Sequence, residues 1–195
     1  DIRQTATDLA SDIAIATARV RSESGLRDGY PERIATLLGD IEALEIEESE
    51  TAAAFSHAAE KVASTGLPAV PNAASVLRNR IGELDALRAQ QRWRRLADDV
   101  ATVRDTIARA IARARELRAA ADGLVARRDE LRGRLEGYRA KAAAYRLDEH
   151  EQLGPLHSHA RTLLYTAPCD LPAATRAVVA YQTALAALLG KEATP

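Results

Sequence analysis

Residues that commonly do chemistry are few in this sequence, and their spacing argues against a reactive site. His157 and His159 lie two residues apart on different sides of a predicted helix, so they cannot bind one metal ion as an i, i+4 pair would. His57 and His150 are isolated. The single cysteine, Cys169, lies in a predicted loop, and a nucleophilic or redox role would need a neighbouring base. We therefore predict a partly buried, inert thiol, no catalytic, cofactor-binding or metal-binding residues, and no enzyme activity.

The composition is typical of a helical protein. Gly and Pro number 10 and 7 among 195 residues, aromatic residues make up 4%, and Ala, Leu, Arg and Glu dominate. No apolar run approaches the ~18 residues of a membrane-spanning helix, and no signal peptide is recognisable. Because the chain lacks methionine even at position 1, we expect an excised fragment or a processed product.

One very long helix is predicted over the range Pro71–Arg146, with Asn72 as its N-cap. Its apolar and small residues repeat with the four-and-three spacing of a coiled coil, interrupted clearly only at Arg128. The repeat changes frame within Arg88–Arg95, which predicts a stutter, a local unwinding or a kink there. The main seam is Ala89, Trp93, Leu96, Val100, Val103, Ile107, Ala110, Ala114, Leu117, Ala121, Leu124, Leu131, Leu135, Tyr138, Ala142 and Tyr145.

Shorter helices are predicted on both sides of the long one. The first spans about Ile2 to Glu23 and ends at Gly25, and the second starts at Pro31 in its first turn. Two more follow Gly154, the last with Asp170 as its N-cap. The seam of the first helix is Ile2, Ala6, Leu9, Ile13, Ala16 and Val20, and that of the second is Leu37, Ile41, Leu44, Glu48, Thr51, Phe55, Ala58 and Val62.

These elements predict an all-α fold, an elongated antiparallel helical bundle or coiled coil built on the long helix. Residues 1–105 are expected to form an antiparallel three-helix bundle and residues 124–190 a C-terminal three-helix bundle. Residues 106–123 are the connecting part of the long helix. If the chain reverses at Pro68, the numbers of two facing residues, one on the second helix and one on the long helix, add up to about 136. Glu48 then faces Arg88, Glu45 faces Gln91 and Glu42 faces Arg94, which predicts a band of ion pairs.

The seam from Ile107 to Leu124 has no partner in this arrangement. Either it pairs with a second copy, making a homodimer, or the helix breaks at Asp122-Gly123 and doubles back. Since the repeat continues unshifted through that dipeptide, the straight helix is favoured.

Charge is unevenly distributed along the chain. Residues 1–66 carry a net charge of −7, residues 67–146 of +8 and residues 147–195 of −2. The acidic second helix neutralises part of the basic stretch, which leaves an arginine excess along Arg104–Arg146 for an acidic protein surface or membrane head groups. Few aromatic residues are available for stacking on bases, so nucleic acid is the less favoured partner. The candidate partner-binding residues are Trp93, Arg109, Arg113, Leu117, Arg127 and Arg128.

A pattern in the C-terminal third resembles an actinobacterial family. It comprises Leu135–Ala142, Leu164–Leu171 and Tyr181–Gln182, with Thr-Ala-Pro-Cys-Asp as its distinctive part. The pattern is similar to multi-pass membrane proteins encoded beside protein kinase G and a glutamine-binding lipoprotein. The resemblance covers roughly residues 124–190 and implies a relay between an external amino-acid sensor and an internal kinase. It offers no catalytic residues and leaves residues 1–105 unexplained.

Taken together, the sequence predicts a non-catalytic helical domain that binds proteins and acts as a relay or scaffold in a nutrient-sensing, kinase-linked membrane protein. The resemblance implies a serine/threonine kinase as partner and a location at the cytoplasmic face of the cell membrane, with an extracytoplasmic location as the alternative. The competing hypothesis is a coiled-coil protein that binds nucleic acid or organises chromosomes through its arginine-rich long helix.

Overall fold

The computed structural model of this chain is all-α over the residues it describes, which are 2–192 for the backbone and 9–21, 24–25 and 27–190 for the side chains. This confirms the predicted helical-bundle class. The helices in this range are α1 (Ile2–Asp28), α2 (Tyr30–Lys61), α3 (Ala73–Ala89), α4 (Trp93–Ala144), α5 (Leu153–Tyr165) and α6 (Leu171–Glu192). The chain divides into two compact units: unit 1 comprises Asp1–Ser49 and Pro71–Ala114, and unit 2 comprises Glu50–Val70 and Arg115–Pro195.

The predicted single helix over Pro71–Arg146 is two helices, α3 and α4. Gln91, with a φ of 55°, adopts the left-handed conformation that follows a helix C-terminus. Its N–H donates to the carbonyl of Arg88 at 2.9 Å, and the N–H of Arg92 donates to that of Leu87 at 3.0 Å, as in a Schellman motif. The expected change of frame therefore falls at a complete helix end. From Trp93 onward α4 is continuous through Asp122-Gly123, as favoured from the sequence.

Unit 1 is a bundle of the first part of α2, all of α3 and the first part of α4. The hydroxyl of Tyr30 donates to Asp85 at 2.9 Å, and Glu48 accepts a hydrogen bond from the N–H of Ala73 at 2.6 Å, so α2 and α3 are antiparallel. The buried core is Tyr30, Leu37, Ile41, Leu44, Ala74, Leu77, Ile81, Leu84, Leu96, Val100, Val103 and Ile107.

The predicted register between α2 and α3 was wrong. Glu45 pairs with Arg78 at 2.7 Å instead of facing Gln91. The residue numbers of the three observed α2–α3 contacts sum to 115, 121 and 123, and not to about 136. Glu48 lies beside Ala73 instead of Arg88, and it supplies the α3 cap that was expected from Asn72, whose side chain makes no capping bond. The end of α2 near Val62 was predicted correctly, but the connection was treated as a symmetric turn, whereas α3 begins beside Glu48 and not beside the end of α2.

The first helix is also not the third member of this bundle, since that place is taken by α3. α1 extends past Gly25 to Asp28 and does not reverse. The N–H of Gly29 donates to the carbonyl of Gly25, and that of Arg33 to the carbonyl of Gly29, both at 3.2 Å. Helical hydrogen bonding therefore bridges the junction between α1 and α2, and every side chain from Leu9 to Arg21 is exposed.

Unit 2 combines the end of α2, the second part of α4, α5 and α6. The N–H of Ala63 donates to the carbonyl of Cys169, and the N–H of Cys169 donates to that of Lys61, both at 2.9 Å. Asp170 caps α6 as predicted, since its carboxylate accepts from the N–H of Ala173 at 2.8 Å. The buried core is Val62, Leu131, Leu135, Ala142, Leu147, Leu153, Ala160, Leu164, Cys169, Leu171, Ala174, Ala177, Val178, Tyr181 and Leu185.

The seam from Ile107 to Leu124, expected to lack a partner, is covered within the chain. Ile107, Ala114, Leu117 and Ala121 are at most 5% exposed. In unit 2, Glu50 forms an ion pair with Arg118, and Val62 joins the core that contains Leu131, so α2 runs parallel to α4 there. The premise for a homodimer through this seam was therefore wrong. The boundaries expected at residues 105 and 124 also differ from those of the two units.

Paired substitutions at Ala121 and Ala120 test the buried seam. Ala121 is fully buried and Ala120 is exposed. Ala121→Leu should lower the free energy of unfolding by about 1–3 kcal/mol through overpacking, whereas Ala120→Leu should change it by less than about 0.5 kcal/mol. Urea denaturation followed by circular dichroism measures both. Equal stability of the two variants, with a changed association state for Ala121→Leu, would instead place the seam at an interface between chains.

Candidate protein-interaction surface

The face of α1 formed by Leu9, Ile13, Ala16 and Val20 is the most conspicuous surface of the described residues. These residues step by four, three and four, so they lie along one side of the helix. The side chains of Leu9, Ile13 and Val20 are 60%, 58% and 63% exposed. We call this surface the α1 apolar face. It has the pattern of a coiled-coil seam, but none of the described residues covers it, whereas the sequence predicted that it would be buried in a three-helix bundle.

The residues that the sequence nominated for partner binding do not form one surface. Trp93 is half-buried against the unit 1 core, and Arg109 is exposed and donates to the Thr106 hydroxyl at 3.3 Å. Arg113 is exposed, and it too has an interaction within the chain. Leu117 is buried in unit 2. Arg127, also in unit 2, pairs with the carboxylate of Glu130 at 2.6 Å.

Arg128 is buried at 6% exposure, so it was wrongly nominated as a surface residue. Its Nε donates to the carbonyl oxygen of Leu164 at 3.1 Å. Arg132 donates to the same oxygen from Nε at 3.2 Å and from Nη2 at 3.0 Å. Leu164 lies in the last turn of α5, where carbonyls have no helical donor. The two arginines therefore cap α5, and Arg132 also stacks on the ring of Tyr165 at 4.4 Å.

Cys169 is fully buried, and its surroundings oppose a nucleophilic role. Burial raises the pKa of the Cys169 thiol, although the nearby Arg128 and Arg132 partly counteract it. A raised pKa keeps the thiol protonated, and a protonated thiol is a poor nucleophile. The Thr-Ala-Pro-Cys-Asp loop therefore acts in packing: Cys169 pairs with the end of α2 and Asp170 caps α6.

His157 is half-buried beside Tyr181. Its ring contacts Tyr181 edge-on, with 5.7 Å between centroids, and its buried Nε2 has no hydrogen-bond partner. Burial lowers the pKa of His157, and Arg139 and Arg161 lower it further, whereas Glu136 opposes them. The fold therefore favours the neutral ring.

Neither a metal centre nor a membrane span is present in the part of the chain that the structure describes. No group of three or more His, Cys, Asp or Glu side chains there could hold a metal ion. No described helix is long and apolar enough to cross a membrane.

No protein-family model, curated protein or solved structure matches this chain. The fold and the surface define a class instead: an all-α helical-bundle protein whose first helix carries an exposed row of apolar side chains.

The different roles of Arg127 and Arg128 can be separated by mutation. Arg128→Ala removes a buried, charge-assisted hydrogen bond and should lower the free energy of unfolding by about 1.5–3 kcal/mol. Arg127→Ala removes an exposed ion pair, which is worth about 0–1 kcal/mol. Chemical denaturation of both variants gives the comparison. A cost for Arg127→Ala equal to that for Arg128→Ala would contradict the capping role of Arg128.

The environment of His157 predicts a pH dependence of stability. Because the folded-state pKa is lowered, the unfolded chain binds a proton more readily below its ordinary pKa of about 6.5. The free energy of unfolding should therefore be highest above pH 6.5 and fall as the pH decreases below it. Urea titrations between pH 7.5 and 5.5 measure the slope. His157→Gln should flatten it, while His159→Gln, two residues away and exposed, should leave it unchanged. A slope unaffected by His157→Gln would assign it to other groups.

Proposed function

We propose that this chain is a non-catalytic helical domain that works by binding proteins, and that α1 is its docking helix. The proposal rests on one observation, the exposure of the α1 apolar face. The seams of α2, α3 and α4 are buried within the chain, whereas the comparable seam of α1 is not. An apolar side that stays in water does not stabilise a long helix, whereas packing it against a second helix does. The spacing of the apolar residues of α1 is that of a helix that packs in this way.

The proposal extends to a relay or scaffold role in a kinase-linked, nutrient-sensing membrane protein, with a serine/threonine kinase as partner. The support is the resemblance over roughly residues 124–190. Its distinctive loop packs unit 2 together, so the resemblance supports a shared fold more directly than a shared binding surface. In this proposal the domain is tethered at the cytoplasmic face of the membrane, with the extracytoplasmic side as the alternative.

The nucleic-acid alternative has weaker support. Several arginines of α4 that would bind phosphates have partners within the chain. Arg118 pairs with Glu50, Arg127 and Arg134 pair with Glu130, and Arg128 is buried. Neutralised or buried arginines contribute little to phosphate binding.

Hydrogen exchange of α1 tests the docking role. In dilute solution α1 amides should exchange much faster than those of the packed part of α2, because an uncovered helix is only marginally stable. Two assemblies are then compared: the chain with saturating purified kinase, and the chain alone at high concentration. Protection of α1 by at least about tenfold is expected in one of them. Fast exchange of α1 in both would reject α1 as the docking element, and kinase-induced protection confined to α2–α6 would place the kinase elsewhere.

A further inference from the structure

The α1 apolar face has charged residues beside it that constrain what it can pair with. In the heptad notation of coiled coils, positions a and d form the seam and positions e and g flank it. Leu9 and Ala16 are d positions, and Ile13 and Val20 are a positions. The flanking g positions hold Asp12 and Arg19. The flanking e positions hold Ala10 and Thr17. The face thus has one charged edge, with an acid and a base seven residues apart, and one uncharged edge.

We infer that two copies of this chain pair antiparallel through their α1 apolar faces. This rests on the proposed function that α1 is a docking helix, and it names a second copy as the occupant. In an antiparallel pair whose facing residues sum to 29, Leu9 packs against Val20 of the second copy and Ile13 against Ala16 of the second copy. The two-fold axis repeats both contacts, which gives four apolar layers.

Charge complementarity carries the inference. In antiparallel coiled coils g positions face g positions, so Asp12 meets Arg19 of the second copy, and Arg19 meets Asp12 of the second copy. Each copy therefore contributes an acid to one ion pair and a base to the other. In a parallel pair g faces e, which sets Asp12 beside Thr17 of the second copy and forms no ion pair. Both Asp12 and Arg19 are exposed and accessible for this contact.

Side-chain size favours the same orientation. Antiparallel pairing matches the large Ile13 with the small Ala16 of the second copy, and Leu9 with Val20, so every layer has one larger and one smaller residue. Parallel pairing would place Ala16 against Ala16 of the second copy and leave that layer underfilled.

The charged residues also favour one register of the pair. A slip by one heptad in one direction would set Asp12 against Asp12 of the second copy, and in the other direction Arg19 against Arg19, so like-charge repulsion opposes both slips. Four layers make a small interface, so a reversible, concentration-dependent dimer is expected.

Sedimentation equilibrium of the complete chain, from about 1 μM to 1 mM, tests the pairing. Asp12→Arg and Arg19→Asp should each raise the dissociation constant about tenfold, because each replaces two attractive pairs by two repulsive ones. The double variant, D12R with R19D, should restore it to within about twofold, since the pairs re-form with reversed sign.

Two single substitutions to aspartate, one in the apolar layers and one outside them, test the apolar contact. Ile13→Asp places a charge in two of the four layers and should abolish the dimer, whereas Ala18→Asp places it on the opposite side of α1 and should leave it intact. At a concentration at which the unsubstituted chain is monomeric, thermal unfolding should be the same for all variants, because these side chains lie outside the two cores.

Three results would overturn the inference: a monomer at every concentration, single charge reversals without effect, or a double variant as weak as the singles. The last would show that Asp12 and Arg19 do not face each other. A monomer whose α1 is protected by the kinase would reject the second copy as occupant while the docking role stands. A monomer whose α1 is protected by nothing would reject both.

Discussion

The level at which α3 begins beside α2 determines most of this fold. Glu48 binds the N–H of Ala73, and Tyr30 binds Asp85, so α3 is aligned with the first part of α2 only. After Glu48, α2 continues for thirteen more residues, Ser49 to Lys61. Those residues are therefore free of α3, and they cover the apolar seam of α4 in unit 2 instead. A symmetric turn after α2 would have left that seam without a partner.

The sequence predicted the helices because their determinants are local. The heptad spacing, the Asp170 cap and the frame change near Arg88–Arg95 depend on neighbouring residues, and each corresponds to a feature of the structure. The register between helices is not local. The α2–α3 register depends on contacts such as that of Glu48 with the N–H of Ala73, and no periodicity encodes that contact. The reversal expected at Gly25 failed because helical hydrogen bonds continue across Gly25 and Gly29.

The candidate surface shows the same limit. Arginine excess pointed to α4, but Glu50 and Glu130 neutralise part of it, and the carbonyl of Leu164 draws Arg128 into the interior. A charge count cannot distinguish a solvated arginine from one that caps a helix. The apolar seam of α1 was visible in the sequence, yet it was assigned to a core. Whether a seam is covered depends on which other helices pack against it. In unit 1 the apolar seam of α2 already packs against α3 and α4.

The uncovered face also links the stability of α1 to its association. Tertiary packing supplies most of the stability of helices in proteins, and α1 has none along Leu9–Arg21. Gly25 lies within α1 and weakens the helix by about 1 kcal/mol relative to alanine. Whatever covers the face then stabilises the helix and the complex together. A weak interface of this kind responds strongly to local concentration, because tethering two copies makes the second contact effectively intramolecular. That property suits a domain whose association is meant to change with its surroundings more than it suits a permanent structural joint.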